Sequence, residues 1–157
     1  MAQRRAYSVR FANVSVSAVQ DLIALYCGAS MGIELHGVVI GQITQASVEN
    51  LQISIKRMPA TVTTGSGGSA PSVRKIGRGN AAATVTARAN DTTPATTGGT
   101  AEVLHSDTFN LVNGYQFFFP QDDRPDFGLS EACVLSLDSA PAAARVMSGT
   151  LYFAELL

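Results

Sequence analysis

Tyr7-Ser8-Val9-Arg10-Phe11-Ala12 is the stretch on which the fold class turns. Large apolar residues occupy every second position and small or polar ones fill the gaps, the period of a strand with one buried face. Val14 and Val16 continue the pattern past Asn13. The same alternation returns in Leu51-Gln52-Ile53-Ser54-Ile55-Lys56, which Pro59 stops because proline cannot donate to a ladder. Ile33, Leu35, Val38, Val39 and Ile40 fill residues 33–42 more densely, as a largely buried strand requires, and the run closes at Gly41-Gln42. Further strands are expected near 82–88, 101–109, 114–119, 132–138 and 148–155. The last of them, with Leu151-Tyr152-Phe153, ties the C-terminal end into a sheet.

One segment carries a competing signal. Val19, Leu22, Ile23 and Tyr26 fall at helical spacing behind Ser17, with Gln20 three residues on as in a capping box. The β-branched surroundings favour a strand over a helix of two or three turns. Residues 60–80, with Gly65-Ser66-Gly67-Gly68-Ser69-Ala70-Pro71, and 89–100, with Thr97-Gly98-Gly99, are too polar to bury much area and read as long loops. A third loop, Pro120 to Gly128, is acidic. Short strands, long Gly-rich and Thr-rich connections and no secure helix point to a single antiparallel β-sandwich over 1–157, jelly-roll-like, with residues 1–5 as an N-terminal arm.

A chain of 157 residues buries roughly 70% of the surface its unfolded form exposes, so the core needs no external staple. Cys27 and Cys133 are flanked by apolar residues and read as buried free thiols. Met1 to Arg10 has no apolar segment behind it, so no secretory signal is expected. No run approaches the ~18 residues of a membrane span, and the expected compartment is a reducing cytoplasm. Charged residues are 15% of the chain against a usual ~25%, while 46% is hydrophobic and the mean hydropathy is +0.16. Ser, Thr, Gly and Ala make up the difference, a mixture suited to flat contact surfaces, and this favours an obligate assembly.

Residues 1–90 hold nine Lys or Arg against three acids, and residues 91–157 hold two against nine. If the fold keeps the two sets apart, copies can meet plus to minus; if the two halves interleave, the charges mix. A nucleic-acid surface is not expected, because the basic residues are dispersed and the total charge is -1.

No catalytic residue, cofactor or metal ligand emerges. His36 and His105 lie in apolar strands with no histidine or cysteine beside them. Asp122, Asp123 and Asp126, with Glu131, offer oxygen ligands for calcium, but the twelve-residue loop pattern is missing and Pro125 interrupts it; a solvated loop paired with basic neighbours is favoured. Gly77-x-Gly79-x-x-Ala82 lacks the strand before and helix after that a dinucleotide site needs. The run Tyr115 to Phe119 says more: successive strand residues face opposite ways, so either Phe118 or its neighbours Phe117 and Phe119 look away from the core. Aromatic residues are favoured interface anchors. The candidate contact residues are therefore Arg4 and Arg5 on the arm, Tyr115, Phe117, Phe118 and Phe119 on this strand, and Asp122, Asp123 and Arg124 in the acidic loop.

Gln20-Asp21-Leu22, the strand closing at Gly41-Gln42, GSGGSAP at 65–71, TGGTAEVLHSDTFNLVNGYQFFFP at 97–120 and SGTLYFAE at 148–155 together resemble small β-sandwich virion proteins of tailed bacteriophages and prophages. The resemblance implies a non-enzymatic capsid decoration or cement protein, located on the capsid surface and made in the host cytoplasm. Its implied partners are the major capsid protein and further copies of itself, a trimer being one form, with no nucleic acid, membrane or cofactor. The alternative is a host-recognition module at the tail or on a head fibre, with the long loops on a receptor. A hydrolase of surface sugars is a third reading, and it requires paired carboxylates such as Asp122 and Glu131.

Overall fold

The alternating segments become strands of two antiparallel sheets in a computed structural model, which describes residues 5–44 and 48–156. The strands are β1 (Arg5–Val16), β2 (Gln20–Tyr26), β3 (Gly32–Gln42), β4 (Asn50–Met58), β5 (Val62–Thr63), β6 (Arg74–Lys75), β7 (Thr86–Asp91), β8 (Thr96–Thr97), β9 (Glu102–Asn110), β10 (Tyr115–Phe118), β11 (Asp126–Phe127), β12 (Ala132–Leu137) and β13 (Arg145–Leu156). One 3-10 turn spans Gln121–Asp123. The first sheet runs β10-β3-β13-β1-β6, with β11 also on β3; the second runs β7-β2-β12-β4-β9. A two-stranded ribbon joins β5 to β8.

Inward residues of the two sheets meet in one core that includes Tyr7, Phe11, Leu35, Ile53, Leu135 and Phe153, and the Tyr7 and Phe153 rings stack with centroids 5.7 Å apart. Cys27 and Cys133 are buried free thiols in the same core. Asn13 takes a φ of 56° where β1 shifts register against β13 between Phe11 and Val14. Asparagine tolerates that left-handed geometry, and its backbone N–H finds the Ser148 hydroxyl at 3.0 Å.

Residues 20–26 are strand β2, and the helical spacing of Val19, Leu22, Ile23 and Tyr26 has a plain cause. Gln20 through Leu25 are all buried, because β2 is covered on both faces, and a strand covered twice does not alternate. The strand expected at 82–88 lies instead at Thr86–Asp91. The Thr84 and Val85 backbone N–H groups are drawn off to the Glu155 carboxylate, at 2.5 and 3.2 Å, so the ladder with β2 begins only at Thr86. Arg5 likewise belongs to β1, opposite Glu155, and not to an arm; Arg4 and the rest of 1–4 lie outside the described residues.

Candidate interaction surface

The two outer faces of the sandwich are built differently. On the second sheet, Ala24, Met58, Ala132 and Val134 point outward and are buried by Ala95, with Tyr26 and Val62 packed alongside. The cover is made by the Thr-rich and Gly-rich segments, which the sequence presents as open loops. They pair with one another through β5 and β8 and through Ser66 and Thr93, whose backbones exchange two hydrogen bonds of 3.0 Å. Buried carboxylates pin them down. Asp21 accepts from the Ala95 N–H at 2.7 Å and from the Ser136 hydroxyl at 3.2 Å. Asp91 accepts from the Gly68 N–H at 3.0 Å and twice from Arg88 at 2.7 Å. Burial pushes the Asp21 carboxyl up from its ordinary range, against the pull of its hydrogen bonds from Ala95 and Ser136. Gly67, with a φ of 91°, and Gly68 are required here, since a Cβ on Gly68 would collide with the Ala89 carbonyl.

Among the described residues, no comparable loop roof lies over the two central rows of the first sheet's outer face. Its cross-strand rows follow from the register: Arg10, Thr150, Val39 and Gln116 form one, and Ser8, Tyr152, Gly37 and Phe118 the next. Small and apolar residues dominate both rows; Arg10 stands in the first, and Arg74 of β6 extends the second beside Ser8. A shallow groove of about 470 Å³ crosses this face, lined by Arg10, Ala12, Val39, Gly41, Ser148 and Thr150. Phe118 is 46% exposed and tilts against Tyr152 with ring centroids 5.9 Å apart.

The candidate contact residues therefore separate. Phe118 looks outward. Tyr115 is buried, while Phe117 and Phe119 are partly buried against the core and pack edge to face at 4.8 Å. His105 stacks on Phe117 at 4.0 Å and its Nε2 lies 2.9 Å from the Tyr115 hydroxyl, an aromatic corner that joins β9 to β10. Asp122 and Asp123 are exposed in the 3-10 turn. Arg124 is half-buried and reaches Glu34 at 3.4 Å, so it ties down the loop. Glu34 also lies 3.3 Å from His36. Gly37, Val39 and Tyr152 belong to the bare face and could not be picked out in advance, because only the register reveals which residues join Phe118.

Arg57 gathers the remaining acids. It donates to Glu102 at 2.8 Å and to the Asp126 carbonyl at 2.8 Å, lies 3.9 Å from Glu131, and sits over the Phe127 ring at 5.4 Å. Glu131 in turn accepts the Gly128 N–H at 2.6 Å, closing the turn before β12. Asp122, Asp123, Asp126 and Glu131 do not converge, and no group of three or more His, Cys, Asp or Glu positioned for a metal occurs among the described residues. No helix is long and apolar enough to cross a membrane among the described residues. The chain matches no protein-family model, no curated protein and no solved structure.

Proposed function

We propose that this chain is a non-catalytic structural subunit that docks on a larger assembly through the bare face of its first sheet. The observation that carries this reading is the contrast between the two faces: among the described residues the second sheet is roofed by the chain's own loops, while the first presents Phe118, Tyr152, Val39 and neighbouring Gly, Ser and Thr residues, with Arg10 and Arg74 the charges of these rows. Such a face loses little desolvation energy on contact, and an exposed aromatic ring on a flat sheet is a natural anchor.

Taken with the likeness of its sequence to virion proteins of tailed phages, the assembly is a capsid, which this protein decorates or cements. A subunit that binds only the assembled shell stabilises it by mass action, and spanning neighbouring capsomers adds multivalent gain. The winding of the strands supports the same reading. With the edge strand β7 set aside, the other eight strands of four or more residues, numbered along the chain, lie in the orders 6-3-8-1 and 2-7-4-5, which supports a jelly-roll reading, an architecture used in viral shells. That likeness of fold is an analogy and leaves the docking face as the argument. The roofed loops weigh against the host-recognition alternative, because segments held by Asp21 and Asp91 are not free to adapt to a receptor.

The test is reconstitution. Phage particles lacking the chain should release their genome at a lower temperature, and adding the purified protein should restore the native value. Phe118→Asp protein should fold yet fail to restore it. Unchanged stability of the deficient particles, or full rescue by Phe118→Asp, would overturn the proposal.

A further inference from the structure

Apart from Arg10 on the outer face of the first sheet, two groups of exposed charges without Lys, Arg, Asp or Glu partners among the described residues lie on opposite lateral edges of the sandwich. β6 closes one side of the first sheet beside β1, and the exposed Arg74, Lys75 and Arg78 lie on or just after it. None of the three makes an ion pair among the described residues. The other side is formed by β10 and β11 on β3 and by β9 in the second sheet, brought together where Phe109 meets Tyr115 at 5.5 Å. This side carries the exposed Asp107, Asp122 and Asp123. Among the described residues none of the three pairs with a Lys or Arg, and the His105 ring lies 4.0 Å from Asp107. Large aliphatic residues are exposed on both edges, Ile76 at 56% on the basic side and Val103 at 58% on the acidic side.

We infer that copies of this chain associate head to tail, the basic β6 edge of one against the acidic β9/β10 edge of the next. Charge complementarity sets both the partner and the orientation: two basic or two acidic edges repel, so a two-fold contact of like edges is disfavoured and a heterologous one favoured. Long-range attraction steers the encounter, while burial of Ile76 and Val103 adds the short-range part. β9 is moreover a nine-residue edge strand paired on one side only, with β4. Its bulge at Leu104 and its charged residues guard it against indiscriminate pairing and leave it open to an oppositely charged partner. A contact of this kind closes into a ring if its rotation permits. The inference concerns the free protein and stands apart from the capsid reading.

The test uses the full chain and two edge variants that neutralise charge at exposed positions. Arg74→Ser, Lys75→Ser and Arg78→Ser together disable the basic edge; Asp107→Asn, Asp122→Asn and Asp123→Asn together disable the acidic one. In sedimentation velocity at low salt the wild type should run larger than a monomer, and about tenfold higher ionic strength should weaken the association. Each variant alone should be monomeric with an unchanged melting temperature. Their equimolar mixture should form a one-to-one dimer and stop there, since only one live edge remains on each partner. A wild type that is monomeric at all concentrations overturns the inference. So does a variant that still associates alone, or a mixture that stays monomeric. Binding of both variants to the shell, assayed separately through Phe118, keeps this result distinct from the docking proposal.

Discussion

The Phe118 ring occupies the space that a side chain at position 37 would fill: a Cβ on Gly37 would lie 2.7 Å from Phe118 Cγ and 2.6 Å from the Phe117 carbonyl oxygen. Glycine at 37 thus fixes both the seat of the ring and the approach of β10 to β3. Gly37→Ala should destabilise the fold by about 1–3 kcal/mol, because part of the collision is with backbone that cannot rotate away. Phe118→Ala should cost less than about 1 kcal/mol, since the ring is nearly half exposed. Urea unfolding of the two variants checks the order; equal losses would mean that Phe118 is a core residue rather than a contact residue.

Asp21 makes a different kind of prediction. It is 2% exposed and its carboxylate holds the Ala95 N–H at 2.7 Å. Asp21→Ala leaves that buried donor without a partner and should cost about 1–3 kcal/mol, the penalty of an unsatisfied group. The measurement is the midpoint of chemical denaturation, and an unchanged midpoint would show that water replaces the carboxylate.

The same anchoring explains which parts of the fold were legible beforehand. β1 and β4 alternate because one face meets the core and the other meets solvent or small neighbours, so Tyr7 to Phe11 and Leu51 to Ile55 announce themselves. β2 and β12 do not alternate, because Ala24 and Val134 are covered from outside by loops whose own sequence shows little that is apolar. β7 ends in Asn90 and Asp91, which fall in the stretch 89–100 that reads as a long loop; they are buried because Asn90 binds Gln20 on the neighbouring strand and Asp91 binds Gly68 of the roof. Phe118 was legible only as one of two options, since period-two alternation says that neighbours oppose each other and leaves open which one faces out. Of the two open readings of the charge asymmetry, mixing holds for much of it, since Lys56 meets Asp138, Arg57 meets Glu102 and Arg145 meets Glu49. That Arg74, Lys75 and Arg78 fall on one side and Asp107, Asp122 and Asp123 on the other is set by strand order and not by sequence.

Gly68 offers a test of the roof itself. Gly68→Val places side-chain atoms against the Ala89 carbonyl and should lift the 65–69 segment from β7. Limited proteolysis should then cut within residues 60–70 of the variant while sparing that segment in the wild type, despite its Gly-rich composition. Equal cleavage of both would mean that the loops open freely.

Alkaline stability follows from three buried groups. Burial pushes the Cys27 thiol up from 9.0 to about 12 and the Tyr115 hydroxyl up from 10.0 to about 12, and it raises the fully enclosed Cys133 thiol as well. The unfolded chain releases these protons at their ordinary values, whereas the folded chain keeps them, so the folded state binds more protons throughout the interval. Stability then falls as pH rises. The melting temperature should therefore be insensitive to these groups below pH 9 and should decline between pH 9 and about 12. Combining Cys27→Ala with Cys133→Ala removes the two groups that titrate first. The variant should lose some stability at neutral pH through the volume it gives up. Its decline should begin nearer pH 10, where Tyr115 takes over together with Tyr7 and Tyr26, whose hydroxyls burial also raises from 10.0. Melting curves of both proteins at half-unit steps from pH 7 to 12 decide the matter, and an identical onset in the two would rule out the thiols as its source.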